Sequence, residues 1–428
     1  MKFEYVVSGL TMGIDDLYYN PIVASPYIDH MNEKITNINN KYDRQNLSLL
    51  FNAHTEKKHG MTMNDTMPNS WNRLFCDSGG LQLARMKSGI TPELKEKIYE
   101  YQAKYCDVAM IFDELPIEFD LTQTGGNSMK AGIVGRRFVR SEVKKSAEAT
   151  RDNVKRQIEV FKREDSRAKV MLISQGQDVD SFREYIEIIC DGLDDEEIST
   201  MCTGIAPSSQ CNGNAFAHRL EMIYSVREYQ VPESLRKNIH LLGVGNHDAL
   251  LPFLVTPKYF DFIDTVSYDS SSHASSWFFS RYRNKDFKQC QMEIPSRATK
   301  TIEDIHKNDL IPVIEEIMET NKKPFDEFNI HTAEQLINDS TKWSIHNKDA
   351  ERRFQRAGGE HGYRLLMWYW VTNTIEHFID ELQRRMDNPS DLHGLSSIST
   401  YDDFRNRWLP RQRAPQKVPE YWPAVLDV

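Results

Sequence analysis

Cysteine is scarce and scattered. The six cysteines of this 428-residue chain (Cys76, Cys106, Cys190, Cys202, Cys211 and Cys290) include no CxxC pair. That excludes a disulfide framework and a compact zinc motif, and buried reduced thiols are expected. Long hydrophobic runs are missing too. The longest apolar stretch near the C-terminus, Leu365 to Val371, is far short of the roughly 20 residues a spanning helix needs. The first residues, with Lys2 and Glu4 ahead of Ser8 and Gly9, form no signal-peptide core. A soluble, cytoplasmic protein without a membrane partner is expected. Nor is there an excess of positive charge: 53 Lys+Arg stand against 63 Asp+Glu, a net charge of −10. This excludes a chain that coats nucleic acid by bulk electrostatics, so any such contact must come from local basic patches.

What is present is enough for a large core. Hydrophobic residues make up 39% and aromatics 11%, which excludes wholesale disorder, and the length suits a large barrel with an appendage. Short apolar runs end in polar residues: Val108 to Phe112 before Asp113, Lys169 to Ile173 before Ser174-Gln175-Gly176, Ile239 to Leu242 before Gly243, Phe260 to Ile263 before Asp264, and, more weakly, Met201 to Thr203 before Gly204. Helix-like stretches lie between them, at 91–105 (Pro92 at its first position), 141–162, 178–190, 215–229 and 247–254. Alternating strand and helix predicts an α/β fold with a parallel sheet. Polar strand ends suit the active face of a (β/α)8 barrel, although a doubly wound sheet also binds ligands at strand ends. After about residue 295 the pattern turns helical, with helices predicted over 301–320 and 363–386 and a proline-bearing tail from Leu409.

Several strand-end residues have the chemistry of a site. Asp77-Ser78-Gly79-Gly80-Leu81-Gln82 pairs an acid with glycines that let backbone N–H groups approach a flat ligand, although an ordinary turn has the same composition. Asp113 could accept from a guanine-like N1–H and exocyclic amine together, or simply cap a helix. Gln175 offers an amide donor, and Gly204 exposed backbone. Asp264, flanked by apolar residues, could attack a sugar C1′, with a second carboxylate as general acid/base. Period-2 alternation leaves the choice between Asp261 and Asp264 open.

Five motifs occur in one order: Asp-Ser-Gly-Gly-Leu-Gln (77–82), Ile-Phe-Asp-Glu (111–114), Ile-Ser-Gln-Gly (173–176), Leu-Leu-Gly-Val-Gly (241–245) and Phe-Asp-Phe-Ile-Asp-Thr-Val (260–266). The set resembles the tRNA-guanine transglycosylases, (β/α)8-barrel enzymes that exchange guanine for a 7-deazaguanine. The resemblance covers about residues 70–290 and extends faintly to 361–380. It implies an α/β fold, a TIM barrel with additional C-terminal helices: a catalytic barrel over 1–295 and a helical region over 296–428 that completes and covers it. It implies Asp264 as nucleophile, settling Asp264 over Asp261, and Asp77 as general acid/base. It places Ser78, Gly79, Asp113, Gln175, Gly204 and Leu242 around the base.

Three departures from the family stand out. Leu81 occupies a position where the family usually has an aromatic residue that stacks on the base. The family's C-x-C-x2-C zinc motif is absent: Cys290 is the one cysteine after Asp264, with His361 roughly where the zinc histidine would fall, so no metal or other cofactor is expected. No additional RNA-binding domain is evident. Together these make the chain most similar to the DNA 7-deazaguanine transglycosylases of bacteria and their phages. The resemblance then implies DNA as partner, with tRNA the alternative, and 7-cyano-7-deazaguanine or a relative as incoming base. Rival readings are a non-catalytic nucleic-acid-binding partner subunit and a sugar hydrolase. Basic residues cluster at 136–163 (ten against four acids), at Arg281, Arg283, Lys285 and Lys288, and at 405–417. The 281–288 group, leaving the strand read as catalytic, is expected at the barrel mouth on phosphates, whereas 144–163 reads at least equally as a solvated helix face. Trp277-Phe278-Phe279 fits either a base-flipping wedge or core packing.

Overall fold

The computed structural model describes residues 1–9, 24–54, 70–79, 90–119, 136–208, 222–228, 231–245, 247–250, 253–254, 260–277, 281–292, 310–337 and 360–388. Eight strands form a closed parallel barrel in chain order: β1 (Lys2–Ser8), β2 (Gln45–Asn52), β3 (Leu74–Asp77), β4 (Val108–Met110), β5 (Lys169–Ser174), β6 (Cys202–Pro207), β7 (Asn238–Leu241) and β8 (Thr265–Ser270). β8 pairs back onto β1, Lys2 beside Thr265 through Val7 beside Ser270, so the sheet has no free edge and a doubly wound sheet is excluded. With flanking helices this is a (β/α)8 fold.

The helices used below are α1 (Ile28–Asn40), α2 (Pro92–Tyr105), α3 (Val143–Arg163), α4 (Val179–Asp191), α5 (Asp195–Met201), α6 (Glu233–Arg236), α7 (Leu310–Thr320) and α8 (Glu360–Asp387). Local signals set their starts. Thr91 caps α2 by accepting from the Leu94 N–H, with Pro92 in the first turn, and Asp178 and Ser181 form a reciprocal capping box on α4. Such caps contribute about 1 kcal/mol each. α3 buries Val143, Ala147, Val154, Ile158 and Phe161, a stripe at helical spacing, and leaves its charges outside.

α8 completes the outer layer. At its start His361 meets Tyr27, just ahead of α1; farther along, Glu376 and Asp380 take Lys41 at the end of α1, and the Ile379 carbonyl takes Gln45, the first residue of β2. α8 therefore descends from the C-terminal to the N-terminal end of the barrel, with Phe378 against Tyr5 of β1. Trp277 is core, edge-on to Trp370 of α8 at 4.8 Å, which removes it as a wedge; Phe278 and Phe279 lie outside the described residues.

One expected strand is not a strand. Phe260 to Ile263 forms a turn, and β8 begins only at Thr265. Apolarity misleads there because Phe260 and Ile263 are buried as anchors of the turn.

The barrel interior is layered. Near the N-terminal end Glu4 accepts from Ser48 Oγ (2.5 Å), Asn72 Nδ2 (2.9 Å) and Arg73 Nε (2.9 Å), with a second bond from the Arg73 guanidinium. Above it Phe75 of β3 stacks on His240 of β7 across the barrel.

Candidate active site at the barrel mouth

The C-terminal strand ends gather polar groups. Asp77 ends β3 beside Asn52 of β2, whose Nδ2 donates to Asp77 Oδ2 at 3.1 Å. The backbone N–H groups of Ser78 and Gly79 also bond the carboxylate. Gly79 makes this turn with φ +77°, and a Cβ there would meet His54 Cβ at 2.7 Å. Burial raises the pKa of Asp77, these bonds oppose it, and the charge of Asp269 raises it further. Asp269, next to last in β8, faces the same interior: Gly243 N–H donates to Oδ1 at 2.7 Å, and Ser8 Oγ lies 3.4 Å from Oδ2. Gly243 has φ +69°, the left-handed turn that aims this N–H.

Asp113 follows β4 and receives the side-chain amide of Gln175, which follows β5 and is buried. The next residue, Glu114, is turned outward: Lys95 Nζ bonds its carboxylate at 2.8 Å, and Tyr185 OH donates to its carbonyl at 2.6 Å. Asn153 of α3 donates to the Phe112 carbonyl at 2.9 Å. Three helices thus fix the loop, leaving Asp113 as its inward acid. Burial pushes Asp113 up to about 7, against the Gln175 bond and with help from the charge of Asp77.

The raised value has a stability consequence. With an unfolded value near 3.8 and a folded value of about 7, the contribution of Asp113 is fully present below pH 3.8 and lost as pH rises through 7. Asp113→Asn is therefore expected to stabilise the protein at pH 8 relative to pH 4, by about 2–4 kcal/mol compared with the unmodified chain. Urea unfolding at the two pH values checks this; parallel pH dependence in both proteins would contradict it.

Of the residues singled out in the sequence, Asp77, Ser78, Gly79, Asp113, Gln175 and Leu242 lie at C-terminal strand ends. Ser78 is buried and donates to the Ile111 carbonyl at 3.2 Å, so it braces the turn. Asp264 does not join them. It precedes β8, is exposed, and its backbone bonds the Lys2 N–H (2.7 Å) and the Lys237 carbonyl (2.8 Å) at the N-terminal end of the barrel. About five residues of chain at strand spacing put it about 16 Å from Asp269, so the expectation that Asp264 stands opposite Asp77 is corrected: the acid of this segment whose charge acts on Asp77 is Asp269. Gly204 is also misplaced as a strand-end contact. It lies within β6, where a Cβ would meet the Asn238 carbonyl at 2.2 Å, so it serves close strand packing; β6 ends at Pro207. Asn52, His240 and Asp269 were missed, although Val266-Ser267-Tyr268-Asp269-Ser270 shows the alternation that sets Ser267 and Asp269 on one face.

The 281–288 basic segment does not gather at this mouth as expected. Arg281–Arg283 pairs with Gln289–Gln291 in a hairpin packed against α8, with Trp370 Nε1 bonding the Arg281 carbonyl and Arg384 lying over Phe287. It therefore follows the descending half of α8. Arg283 donates to the Phe287 carbonyl at 3.0 Å and covers Phe378, and burial lowers its pKa. Lys285 and Lys288 are exposed at the hairpin tip. On α3, Arg156 pairs with Glu96 and Glu159, Lys162 with Glu197, and Arg163 with Glu96, Glu100 and Glu164, a solvated ion-pair face. Residues 405–417, and Gly80 to Gln82, lie outside the described residues.

Among the described residues no group of three or more His, Cys, Asp or Glu is gathered to hold a metal ion. His361 shares a 2.5 Å hydrogen bond with Tyr27 OH and stacks on Phe328, while Cys290 lies on the hairpin opposite Tyr282. No helix among the described residues is long and apolar enough to cross a membrane. No family model matches the chain, and no curated protein matches it either.

Proposed function

We propose that the chain is a base-exchange transglycosylase that replaces guanine in DNA with a 7-deazaguanine, 7-cyano-7-deazaguanine or a relative, without a metal or other cofactor. The observation that carries this reading is the pairing of Asp77 and Asp269 at one barrel mouth, beside the Asp113–Gln175 pair. Asp269, held by backbone N–H, is the nucleophile: one oxygen bonds C1′ as the C1′–N9 bond breaks, its electron pair leaving with the base. Asp77, raised by burial, protonates the departing base and later takes a proton from the incoming one. Asp113 accepts from the N1–H and exocyclic amine, the Gln175 amide serves the ring carbonyl, and backbone at Leu242 borders the base. A binding subunit has no need of two opposed carboxylates, and a sugar hydrolase none of the purine-reading pair.

The choice of DNA rests on the absent C-x-C-x2-C motif. Incubation with 7-cyano-7-deazaguanine and duplex DNA, single-stranded DNA or tRNA, followed by digestion to nucleosides, tests it. Modified deoxyguanosine is expected; product in tRNA alone overturns the choice of polymer, and product in none overturns the reading.

The hairpin on α8 carries its own expectation. Combined Arg281→Ala, Lys285→Ala and Lys288→Ala is expected to leave polymer affinity within about twofold and the salt dependence unchanged, because the hairpin tip runs down α8, with Phe287 against Arg384. A drop of about 2–3 in the slope of log K against log salt would put the hairpin on phosphates.

A further inference from the structure

β7 and β8 run parallel in a register that sets His240 beside Ser267, both facing the barrel interior. The His240 side chain is 0% exposed, and its ring stacks on Phe75 at 5.5 Å with the planes 28° apart. Its Nδ1 lies 2.9 Å from Ser267 Oγ. Its Nε2 has no hydrogen-bond partner among the described residues, and sits 3.5 Å from Oδ1 of Asp269, the next inward residue of β8. A buried ring nitrogen aimed at a carboxylate is a costly arrangement unless it carries a hydrogen.

The neighbours indicate where that hydrogen resides. Ser267 has one hydroxyl hydrogen and two acceptors in reach, Nδ1 at 2.9 Å and the Ile239 carbonyl at 3.4 Å. Donation to the nearer acceptor leaves the ring hydrogen on Nε2, facing Asp269. The opposite tautomer would turn a lone pair onto the carboxylate oxygen.

We propose that His240 carries a hydrogen on Nε2 and is a positioning residue for Asp269. The ring N–H and the Gly243 N–H, at 2.7 Å, together anchor Oδ1, leaving Oδ2, with Ser8 Oγ 3.4 Å away, as the attacking oxygen. This rests on the reading of Asp269 as the nucleophile. In the step it supports, Oδ2 bonds C1′, the C1′–N9 electron pair leaves with the base, and Asp77 supplies the proton the base takes up. The imidazole neither gains nor loses a proton and touches no reacting atom; it sets which carboxylate oxygen is free and where it points.

The contact is tested first without activity. In the full chain labelled with 15N-histidine, long-range proton–nitrogen correlation spectra are expected to show a hydrogen on His240 Nε2, with its resonance displaced by Asp269→Asn and unmoved by Asp264→Asn. A bare Nε2 with the hydrogen on Nδ1 overturns the proposal. Kinetics supply the second readout. His240→Leu is expected to lower kcat for base exchange about 30–100-fold with KM for the polymer within about twofold, and His240→Gln, which returns an amide N–H near Nε2, to recover kcat to within about threefold of the unmodified chain. Equal losses in the two variants would make His240 a packing residue and overturn the proposal. Exchange that persists in Asp269→Asn would instead overturn the nucleophile reading, while the spectra still decide the His240–Asp269 contact.

Discussion

Asp269→Asn is expected to abolish base exchange, with a loss of about 1,000-fold or more, while Asp264→Asn stays within about twofold of the unmodified rate. The substitution keeps size and shape, and an Asn Oδ1 can still accept the Gly243 N–H, so the fold and polymer binding should persist. What disappears is the negative oxygen that the proposed reaction bonds to C1′. Removing that charge also takes away one of the influences that raise the pKa of Asp77, so its carboxyl shifts downward in the variant. Asp264 is the matched control: an exposed acid just ahead of β8, at the opposite end of the barrel. Rates from label incorporation and affinities from direct binding separate chemistry from grip. Loss of exchange in Asp264→Asn with retention in Asp269→Asn would reverse the assignment.

Arg73→Met is expected to cost about 3–5 kcal/mol of stability, because it leaves the buried Glu4 without its cation. The Glu4 side chain is 1% exposed and meets Arg73 through two bonds, whereas Ser48 and Asn72 offer only neutral donors. Burial works to raise the pKa of Glu4, yet the Arg73 bonds and charge, with Ser48 and Asn72, hold it below the usual carboxylate value. The depressed folded value means the contribution of Glu4 is present above pH 4.5 and lost as pH falls through the folded value. The double variant Glu4→Gln with Arg73→Met, which removes both charges, is expected to recover most of the loss and to lack this acid-sensitive component. Urea unfolding of the single and double variants at pH 7 and pH 4 measures both effects. A single variant as stable as the unmodified chain would show that the pair contributes nothing to the fold.

Much of the architecture was legible because barrel strands are short apolar runs that stop at a polar residue. Val108-Ala-Met and Lys169 to Ile173 announce β4 and β5, and the acids or amides after them reach the mouth. β6 was half legible. Its apolar part, Ile205-Ala206, follows Gly204, so the weak run before the glycine marked the start of the strand. The last strand was misplaced for a physical reason: the buried Phe260 and Ile263 mimic a strand, while β8 itself reads as Thr-Val-Ser-Tyr-Asp-Ser, with polar residues on the inner face. A polar interior is what hid Asp269, His240 and the Glu4–Arg73 layer, because core-seeking patterns look for apolar residues inside. The hairpin at 281–291 follows β8 in sequence but is drawn down α8 by Tyr282 on Trp370 and Arg283 on Phe378, contacts that no local pattern predicts.

The most direct measurement is capture of the proposed covalent intermediate. The full chain is incubated with guanine-containing DNA without an incoming base, quenched in denaturant, treated with nuclease, and mapped by peptide mass spectrometry. A glycosyl remnant on the peptide holding Thr265 to Ser270, fragmenting to Asp269, is the predicted result. A remnant on Asp264, or release of guanine with no protein adduct, would contradict the account.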